Sequence, residues 1–175
     1  MILDATLEEL AAAGYGALAV ESVAARAGVA KSTIYRHWRD KLALIEDALA
    51  TLHESEAPDI ATGAPRERLE RLLLHVTHIL SHSLFSACLP AMIEAAERDE
   101  RLRRFHHEFQ AAARQPLVDL LREGRATGDF PARIDPELAA LALLGALFFQ
   151  RLMTPSPYPA DKVSQLLDTV LGHPC

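Results

Sequence analysis

Cysteine is scarce in this 175-residue chain, with only Cys88 and Cys175. Two cysteines do not make the disulfide framework of a small secreted domain, so we expect a reducing compartment. Long hydrophobic runs are missing too, since the longest, Leu138 to Phe149, is shorter than the roughly 18–20 residues that cross a bilayer. Three acids lie among the first nine residues, where a signal peptide would be cationic. We therefore expect a cytoplasmic protein without a membrane span.

Strand signals are also lacking, because no segment alternates apolar and polar residues and no Asn-Gly hairpin dipeptide occurs. Nearly every segment instead repeats its apolar residues at helical spacing, which predicts an all-α fold of about nine helices. Pro116 should kink or split a long helix that begins near Arg101. Residues 55–65 are polar and rich in proline and glycine. We place a domain boundary there, between an N-terminal domain of residues 1–53 and a C-terminal domain of residues 54–175.

Catalytic signatures are absent from the sequence: it has no Gly-x-Ser-x-Gly, no phosphate-binding P-loop, no His-Glu-x-x-His and no reactive cysteine pair. We expect no enzyme and no cofactor. His75, His78 and His82 share one helix face, and three imidazoles can bind zinc. No nearby Cys, Asp or Glu completes that face, so polar lining or an exposed surface is the favoured interpretation and no metal site is predicted.

Positive charge is concentrated in one short segment of an otherwise acidic chain. The formal net charge is -6, yet residues 20–41 hold five Lys/Arg and two acids, for a local charge of +3. Within this segment, AGVAKSTIYRHWRDK (residues 27–41) also contains Tyr35, His37 and the only tryptophan, Trp38. Local charge matters more than net charge for binding a polyanion, so this segment is a candidate nucleic-acid contact.

The same segment has the layout of a helix-turn-helix. A helix from Val20 to Ala27 is ended by Gly28, and a second short helix, Lys31–Trp38, follows the turn. Ile34 and Trp38 are four residues apart and anchor the second helix through its apolar side. Its remaining side chains point outward and are suited to phosphates and base edges; they are Lys31, Ser32, Thr33, Tyr35, Arg36 and His37.

The stretch VESVAARAGVAKSTIYRHWRDKLAL, Val20 to Leu44, resembles the signature of the tetracycline-repressor (TetR) family of bacterial transcription regulators. That signature has the form V-x-x-[IV]-A-x-x-A-G-V-[SA]-x-x-[TS]-[LIV]-Y-x-[HY]-[FW]-x-x-K-x-x-L. The resemblance implies an N-terminal three-helix DNA-binding domain and a C-terminal helical domain for ligand binding and dimerisation. It implies DNA contacts from the recognition helix and the start of the next helix, by Lys31, Ser32, Thr33, Tyr35, Arg36, His37 and Lys41.

Two departures from the family pattern concern helix caps. Ala30 stands where serine is common, so the recognition helix lacks a side-chain cap worth about 1 kcal/mol. Ala19 and Val20 stand where Ser or Thr often supply a cap and a phosphate contact.

The middle of the chain contains apolar residues on three successive predicted helices. Taken alone they are core residues. The resemblance implies that this region encloses a small-molecule effector pocket, with apolar walls and a few polar groups. The candidate ligand-binding residues are His75, His78, Phe85, Cys88, Leu89, Met92, Phe105 and Phe109.

LAALALLGALFF (residues 138–149) is apolar nearly all round, which is typical of a helix buried on both faces. It is either the centre of a monomeric core or part of a subunit interface. The resemblance implies that the last two helices pair across a two-fold axis in a homodimer. The predicted interface positions are Leu141, Leu144, Phe148, Leu167 and Val170.

The interpretation that follows is a ligand-responsive DNA-binding transcriptional regulator, more often a repressor. As a homodimer it would bind double-stranded DNA at a palindromic operator and be released by a small-molecule effector. The alternative is a helical small-molecule or metal-binding protein that keeps the helix-turn-helix only as scaffold. Salt-dependent binding to a promoter fragment separates the two.

Overall fold

The chain is all-α in its computed structural model, which describes residues 1–54 and 58–172, with the main chain alone at 52–54. Those residues form nine α-helices and one short 3₁₀ turn, Ala160–Lys162, with no strand, so the predicted fold class is confirmed. The helices are α1 Ile2–Ala17, α2 Val20–Ala27, α3 Lys31–His37, α4 Lys41–Glu54, α5 Pro65–His82, α6 Leu84–Arg98, α7 Glu100–Thr127, α8 Pro136–Met153 and α9 Val163–Leu171.

Aspartate side chains cap two of the helices. The Ala43 N–H donates to Asp40 Oδ1 at 2.8 Å at the start of α4. The Leu138 N–H donates to Asp135 Oδ1 at 2.9 Å at the start of α8, where proline occupies the first helical position. Each bond satisfies a backbone donor that has no partner within its helix, and this is why both helices begin where they do.

Pro116 does not split the long helix, since α7 runs unbroken from Glu100 to Thr127. Proline removes one backbone donor and crowds the preceding turn. The helix has four turns before this position and about three after it, and the turn that follows is firmly packed. Leu117, Val118, Leu120 and Leu121 are all buried, and their burial offsets the missing hydrogen bond.

The chain divides into two compact units that interleave along the sequence. The first unit comprises Met1–Glu56 and Leu84–Gln110, and the second comprises Ala57–Ser83 and Ala111–Cys175. Residues 84–110 thus pack with the N-terminal helices. The predicted domain boundary between residues 53 and 54 stays a prediction.

In the first unit, α1 packs against α2, α4 and α6. Leu10, Ile34, Ile45 and Leu89 are fully buried side chains of its core. A further buried cluster joins Leu42 on α4 to Ala95 on α6 and Leu102 on α7, with Tyr15 packed against it. Helices α1, α4, α6 and the beginning of α7 therefore form one packed body, and the recognition helix α3 packs against α2.

In the second unit, α5 packs against α8 and α9, which also pack against each other. The core of this unit is leucine, and its fully buried members are Leu69, Leu73, Leu121, Leu143, Leu147 and Leu167. Arg66 pairs with Asp168 at 2.6 Å, and Arg68 pairs with Glu123 at 2.5 Å. These pairs join α5 to α9 and to the second half of α7.

The helix α8 has 18 residues and a mean hydropathy of 1.3 in that window, so by length and composition alone it could cross a bilayer. The core or interface helix of a protein in water passes the same test. The leucines named above bury one of its faces within the second unit.

The first unit encloses a small apolar cavity of about 10 Å³ between α1, α4, α6 and α7. Only Tyr15 and His106 bring polar groups to its wall. That volume has room for about one water molecule, whereas small-molecule pockets measure roughly 300–1,000 Å³. Burial at this wall lowers the pKa of His106, and the neighbouring His107 lowers it further.

Because the pKa of His106 is lowered in the folded chain, the free energy of unfolding should depend on pH. The unfolded chain, with an ordinary imidazole pKa near 6.5, binds a proton before the folded chain does. Neutral His106 therefore contributes its full stabilisation above about pH 6.5. This contribution is lost as the pH falls through the folded-state pKa. We expect His106→Gln to lose less unfolding free energy than the wild type between about pH 7.5 and about pH 5.5, measured by urea denaturation. His107→Gln, at an exposed position, removes only the smaller of the two causes and should keep most of the wild-type pH dependence, and an unchanged slope in His106→Gln contradicts the assignment.

Candidate DNA-binding site

The outer face of α3 is polar and exposed. Lys31, Ser32, Arg36 and His37 are exposed, and Tyr35 is 47% exposed. Thr33 is half-buried. The structure thus brings six of the seven predicted DNA-contacting residues together on one short helix, five of them fully on its surface.

The inner face of α3 holds the helix in place through Ile34, which is fully buried. Val23 and Ala24 on α2 are buried as well. Gly28 ends α2 in the left-handed conformation, with φ 67°, which glycine adopts without the strain that a Cβ would bring. The Val29 N–H then donates to the Ala24 carbonyl at 3.0 Å. This tight turn aims α3 away from α2 with its polar face outward.

Ala30 provides no side-chain cap to α3, and Ala19 provides none to α2, as the sequence predicts. The first turn of α3 is closed by the backbone alone, through the Thr33 N–H and the Ala30 carbonyl at 2.9 Å. The remaining N–H groups of that first turn have no acceptor within the helix and point along its axis. They are therefore available to an anion such as a DNA phosphate.

Trp38 fixes the other end of α3. Its backbone N–H donates to the Ile34 carbonyl at 2.9 Å, and its indole Nε1–H donates to Asp47 Oδ2 on α4 at 2.8 Å. The ring is half-buried, and the Asp47 side chain lies at the surface. The tryptophan therefore connects the recognition helix to α4 by packing and by a hydrogen bond to a carboxylate.

We predict a measurable coupling between Trp38 and Asp47. Trp38→Phe keeps most of the packing and removes the donor, and Asp47→Ala removes the acceptor. In a double-mutant cycle of urea unfolding, we expect a coupling energy of about 0.5–1.5 kcal/mol. If the changes in unfolding free energy of the two single variants simply add in the double variant, the predicted coupling is absent and the hydrogen bond does not contribute to stability. The exposed Glu94 can serve as a control partner, since its substitution should add independently to Trp38→Phe.

Lys41 is held inside the first unit. Its Nζ donates to the Tyr15 carbonyl at 2.8 Å and to the Leu18 carbonyl at 3.2 Å, and it lies 4.4 Å from the centre of the Tyr15 ring. Burial lowers its pKa. An ammonium has three N–H donors, and two of them already have acceptors at the end of α1. One donor remains for the phosphate contact that the sequence pattern predicts.

Ion pairs on the described surface alter the charge expected from the sequence. Arg26 pairs with Glu8 at 3.1 Å and with Glu9 at 2.6 Å, both on α1. Lys31 pairs with Glu21, which raises the pKa of the lysine and lowers that of the glutamate. The local charge of +3 for residues 20–41 does not include Glu8 and Glu9, which the fold brings close to Arg26.

Arg36 differs from these cations, because no acidic partner for it occurs among the described side chains, residues 1–51 and 58–172. It extends from the middle of the exposed face of α3. An exposed guanidinium without an intramolecular partner can bind a phosphate or a guanine edge without first breaking an ion pair. Arg36 is therefore the strongest single candidate for a DNA contact in this site.

Asp40 and Arg101 join the base of the site to α7. Arg101 Nη1 lies 3.2 Å from Asp40 Oδ2, while the other carboxylate oxygen caps α4. The Ala43 N–H lowers the pKa of Asp40, and Arg101 lowers it further. The residue that follows the recognition helix by three positions is thus bonded both to α4 and to the start of α7.

Comparison with known proteins identifies the architecture. Residues 2–48 match the family described as "Bacterial regulatory proteins, tetR family", and residues 57–170 match "Tetracyclin repressor-like, C-terminal domain". The chain belongs to the TetR family. It is a DNA-binding transcriptional regulator, and α2 and α3 are the helix-turn-helix of that family.

Named TetR-family relatives span most of the chain. The transcriptional regulator AqdR of Rhodococcus erythropolis is 28% identical over 95% of this chain and 82% of its own length. The transcriptional repressor KstR of Rhodococcus jostii is 30% identical over 73% of this chain and 66% of its own. The crystal structure of FadR from Bacillus subtilis in complex with stearoyl-CoA has a TM-score of 0.76 at 21% identity, covering 98% of this chain and 97% of that one, a likeness that shows the shared fold.

The predicted interface residues of this TetR-family chain differ in accessibility. Leu141 is exposed, and Leu144, Phe148 and Val170 are half-buried. The prediction for Leu167 is corrected, because this residue is 0% exposed in the single chain. It therefore cannot reach a second subunit. It lies on the stripe of α9 that faces the leucine core. Three large apolar residues of α8 that the sequence reasoning missed are exposed instead: Leu138, Phe149 and Met153.

The predicted effector-pocket residues fall in both units. His75 and His78 lie on α5, half-buried and exposed respectively. The other six lie in the first unit, where Phe85 stacks on Phe109 at 5.7 Å between ring centres and Phe105 lies 5.8 Å from Phe109. Cys88, Leu89 and Met92 are buried. The Cys88 thiol points to the Leu7 carbonyl at 3.4 Å, and burial raises its pKa to about 11, so it is a core residue and not a reactive one.

Proposed function

We propose that this TetR-family regulator is a homodimeric repressor that binds a palindromic operator and is released by a small-molecule effector. The observation that carries the DNA-binding half is the exposed polar face of α3 on a helix anchored by Ile34 and Trp38. In a two-fold dimer, two such helices would enter successive major grooves, about one helical turn apart or somewhat more. The names of its relatives, among them a repressor, support the sign of regulation.

We assign different roles to the residues of α3. Arg36 reads a base edge or a phosphate, because it is exposed and has no acidic partner among the described side chains. Ser32, Thr33 and Tyr35 offer hydroxyls to the backbone, and His37 lies at the same edge. Lys31 must break its ion pair with Glu21 before it can bind a phosphate. Lys41 donates its remaining N–H to a phosphate. Phosphate contacts position the protein, whereas a base contact specifies the sequence.

We propose that α8 forms the centre of the dimer interface. Leu138, Ala142, Gly145, Phe149 and Leu152 recur every three or four residues and define one stripe, of which the first four are exposed. Outside the backbone of α8 itself, no atom of the described residues lies within 4 Å of a Cβ placed on Gly145, so two helices could approach closely there. Beside the stripe lies an open groove of about 380 Å³, with Leu138, Ala139 and Val170 in its walls. A second copy of α8 is the occupant that fits an apolar stripe with a small residue at its middle.

We propose that the effector binds among the aromatic residues of α6 and α7 in the first unit. Phe85, Phe105 and Phe109 pack on each other, and the nearby cavity of about 10 Å³ is far smaller than an effector. Binding would therefore separate these helices, and a ligand shifts an equilibrium only by its preference for one of two states. The acyl-CoA bound by FadR supports an apolar compound, because this region has mainly apolar walls.

The experiment that tests the function is binding to the DNA upstream of the gene for this chain. The expected result is a footprint with two-fold symmetry and an affinity well above that for random DNA, falling steeply with salt. Compounds are then screened for release of that complex. A dimer that shows no preference for its own upstream DNA would favour the alternative, a small-molecule-binding protein in which the helix-turn-helix is scaffold. We further propose that the protein acts in the cytoplasm as a regulator and not as an enzyme.

A further inference from the structure

The helix α5 contains three of the eight histidines of the chain, and none of them takes part in the DNA-binding site. His78 and His82 are one turn apart, both are exposed, and their ring centres are 5.3 Å apart. His75 is half-buried and lies seven residues before His82, roughly 10 Å along the helix. His78 and His82 are therefore the exposed pair of imidazoles on this helix that can share one ion.

The spacing of these rings matches tetrahedral coordination. With a metal–nitrogen distance of about 2.0–2.1 Å and roughly 1.1 Å from a nitrogen to its ring centre, each ring centre lies about 3.2 Å from a shared ion. Ring centres 5.3 Å apart then subtend an angle of about 110° at the ion, close to the tetrahedral value. Because both side chains are at the surface, they can turn their nitrogens to the ion without disturbing the core.

We propose that His78 and His82 form a two-histidine site for a late first-row divalent cation such as Zn²⁺, Ni²⁺ or Cu²⁺. Imidazole nitrogen is a preferred ligand of these ions, and Cu²⁺ should bind most tightly. In the described parts of the chain, no group of three or more His, Cys, Asp or Glu could hold a metal ion. Water therefore completes the coordination sphere, and the affinity is micromolar rather than that of a closed structural site.

The test is a calorimetric titration of the untagged protein with ZnCl₂ and, separately, NiCl₂. The wild type should bind one ion per chain. His78→Ala and His82→Ala should each weaken binding by about tenfold or more, because each leaves a single imidazole and loses the effective concentration of the second ligand. Alanine is the better helix former at these exposed positions, so α5 remains folded, and circular dichroism verifies it.

His107→Ala is the matched control, since His107 is an exposed histidine on another helix. It should bind the ions as the wild type does. The proposal is wrong if the wild type shows no one-to-one binding, if His78→Ala and His82→Ala bind as tightly as the wild type, or if His107→Ala loses as much affinity as they do. None of these outcomes depends on DNA binding, so the site stands or fails independently of the proposed repressor function.

Discussion

Phe149→Glu is expected to convert the proposed dimer to monomers and to lower operator affinity by about a hundredfold or more. The Phe149 side chain is 64% exposed in the single chain and lies on the apolar stripe of α8. In a two-fold interface the substitution acts twice, since each copy would bury a carboxylate among leucines of the other. Each monomer then binds one half-site and loses the linkage to the second.

Sedimentation velocity measures the oligomeric state, and fluorescence anisotropy with an operator fragment measures the affinity. Ile93→Glu is the control, because Ile93 is an exposed apolar residue of α6, a helix that contributes nothing to the α8 stripe. It should leave both the dimer and the affinity unchanged. A Phe149→Glu variant that remains dimeric would show that α8 is not the interface, whatever its effect on DNA binding.

Arg36→Ala is expected to weaken operator binding by about 1–3 kcal/mol, which is roughly 5- to 150-fold. Arg36 lacks an acidic partner among the described residues, so its removal breaks no ion pair within the protein and leaves the fold intact. The loss should therefore come from the DNA contact alone.

Comparing two variants at this position distinguishes a base contact from a phosphate contact. Arg36→Lys keeps the charge but not the planar pair of N–H donors. Near-normal affinity in Arg36→Lys indicates a phosphate contact, whereas a loss like that of Arg36→Ala, with relaxed preference at one operator position, indicates a base contact. Arg104→Ala removes an exposed arginine from α7 and should change little. The assignment fails if Arg36→Ala binds the operator as tightly as Arg104→Ala does.

The helix-turn-helix itself could be predicted because its signals are local. Residues 20–38 contain Gly28, two apolar residues four apart and a run of polar side chains. These neighbouring positions alone predict the turn and the outward face of α3. The caps at Asp40 and Asp135 are local in the same way, since each bonds a backbone N–H three residues further on.

Partners that lie far apart in sequence could not be predicted. The acids that neutralise Arg26 lie 17 and 18 residues before it, and the carbonyls that hold Lys41 belong to the end of α1. Asp47 receives the indole N–H of Trp38 only because α4 turns back beside α3. Leu167 and Phe149 could not be distinguished from the sequence for the same reason. Both are apolar residues at helical spacing, and the sequence does not say which of them a neighbouring helix covers.

The sequence by itself therefore determined the helices, the turn between α2 and α3 and the chemical character of the recognition surface, since these depend on residues within one or two turns of each other. The tertiary structure alone decided which cations of that surface are already paired, which apolar side chains of α8 and α9 remain exposed, and that His78 and His82 both lie at the surface. Those properties depend on which elements pack together, and periodicity along one helix does not contain that information.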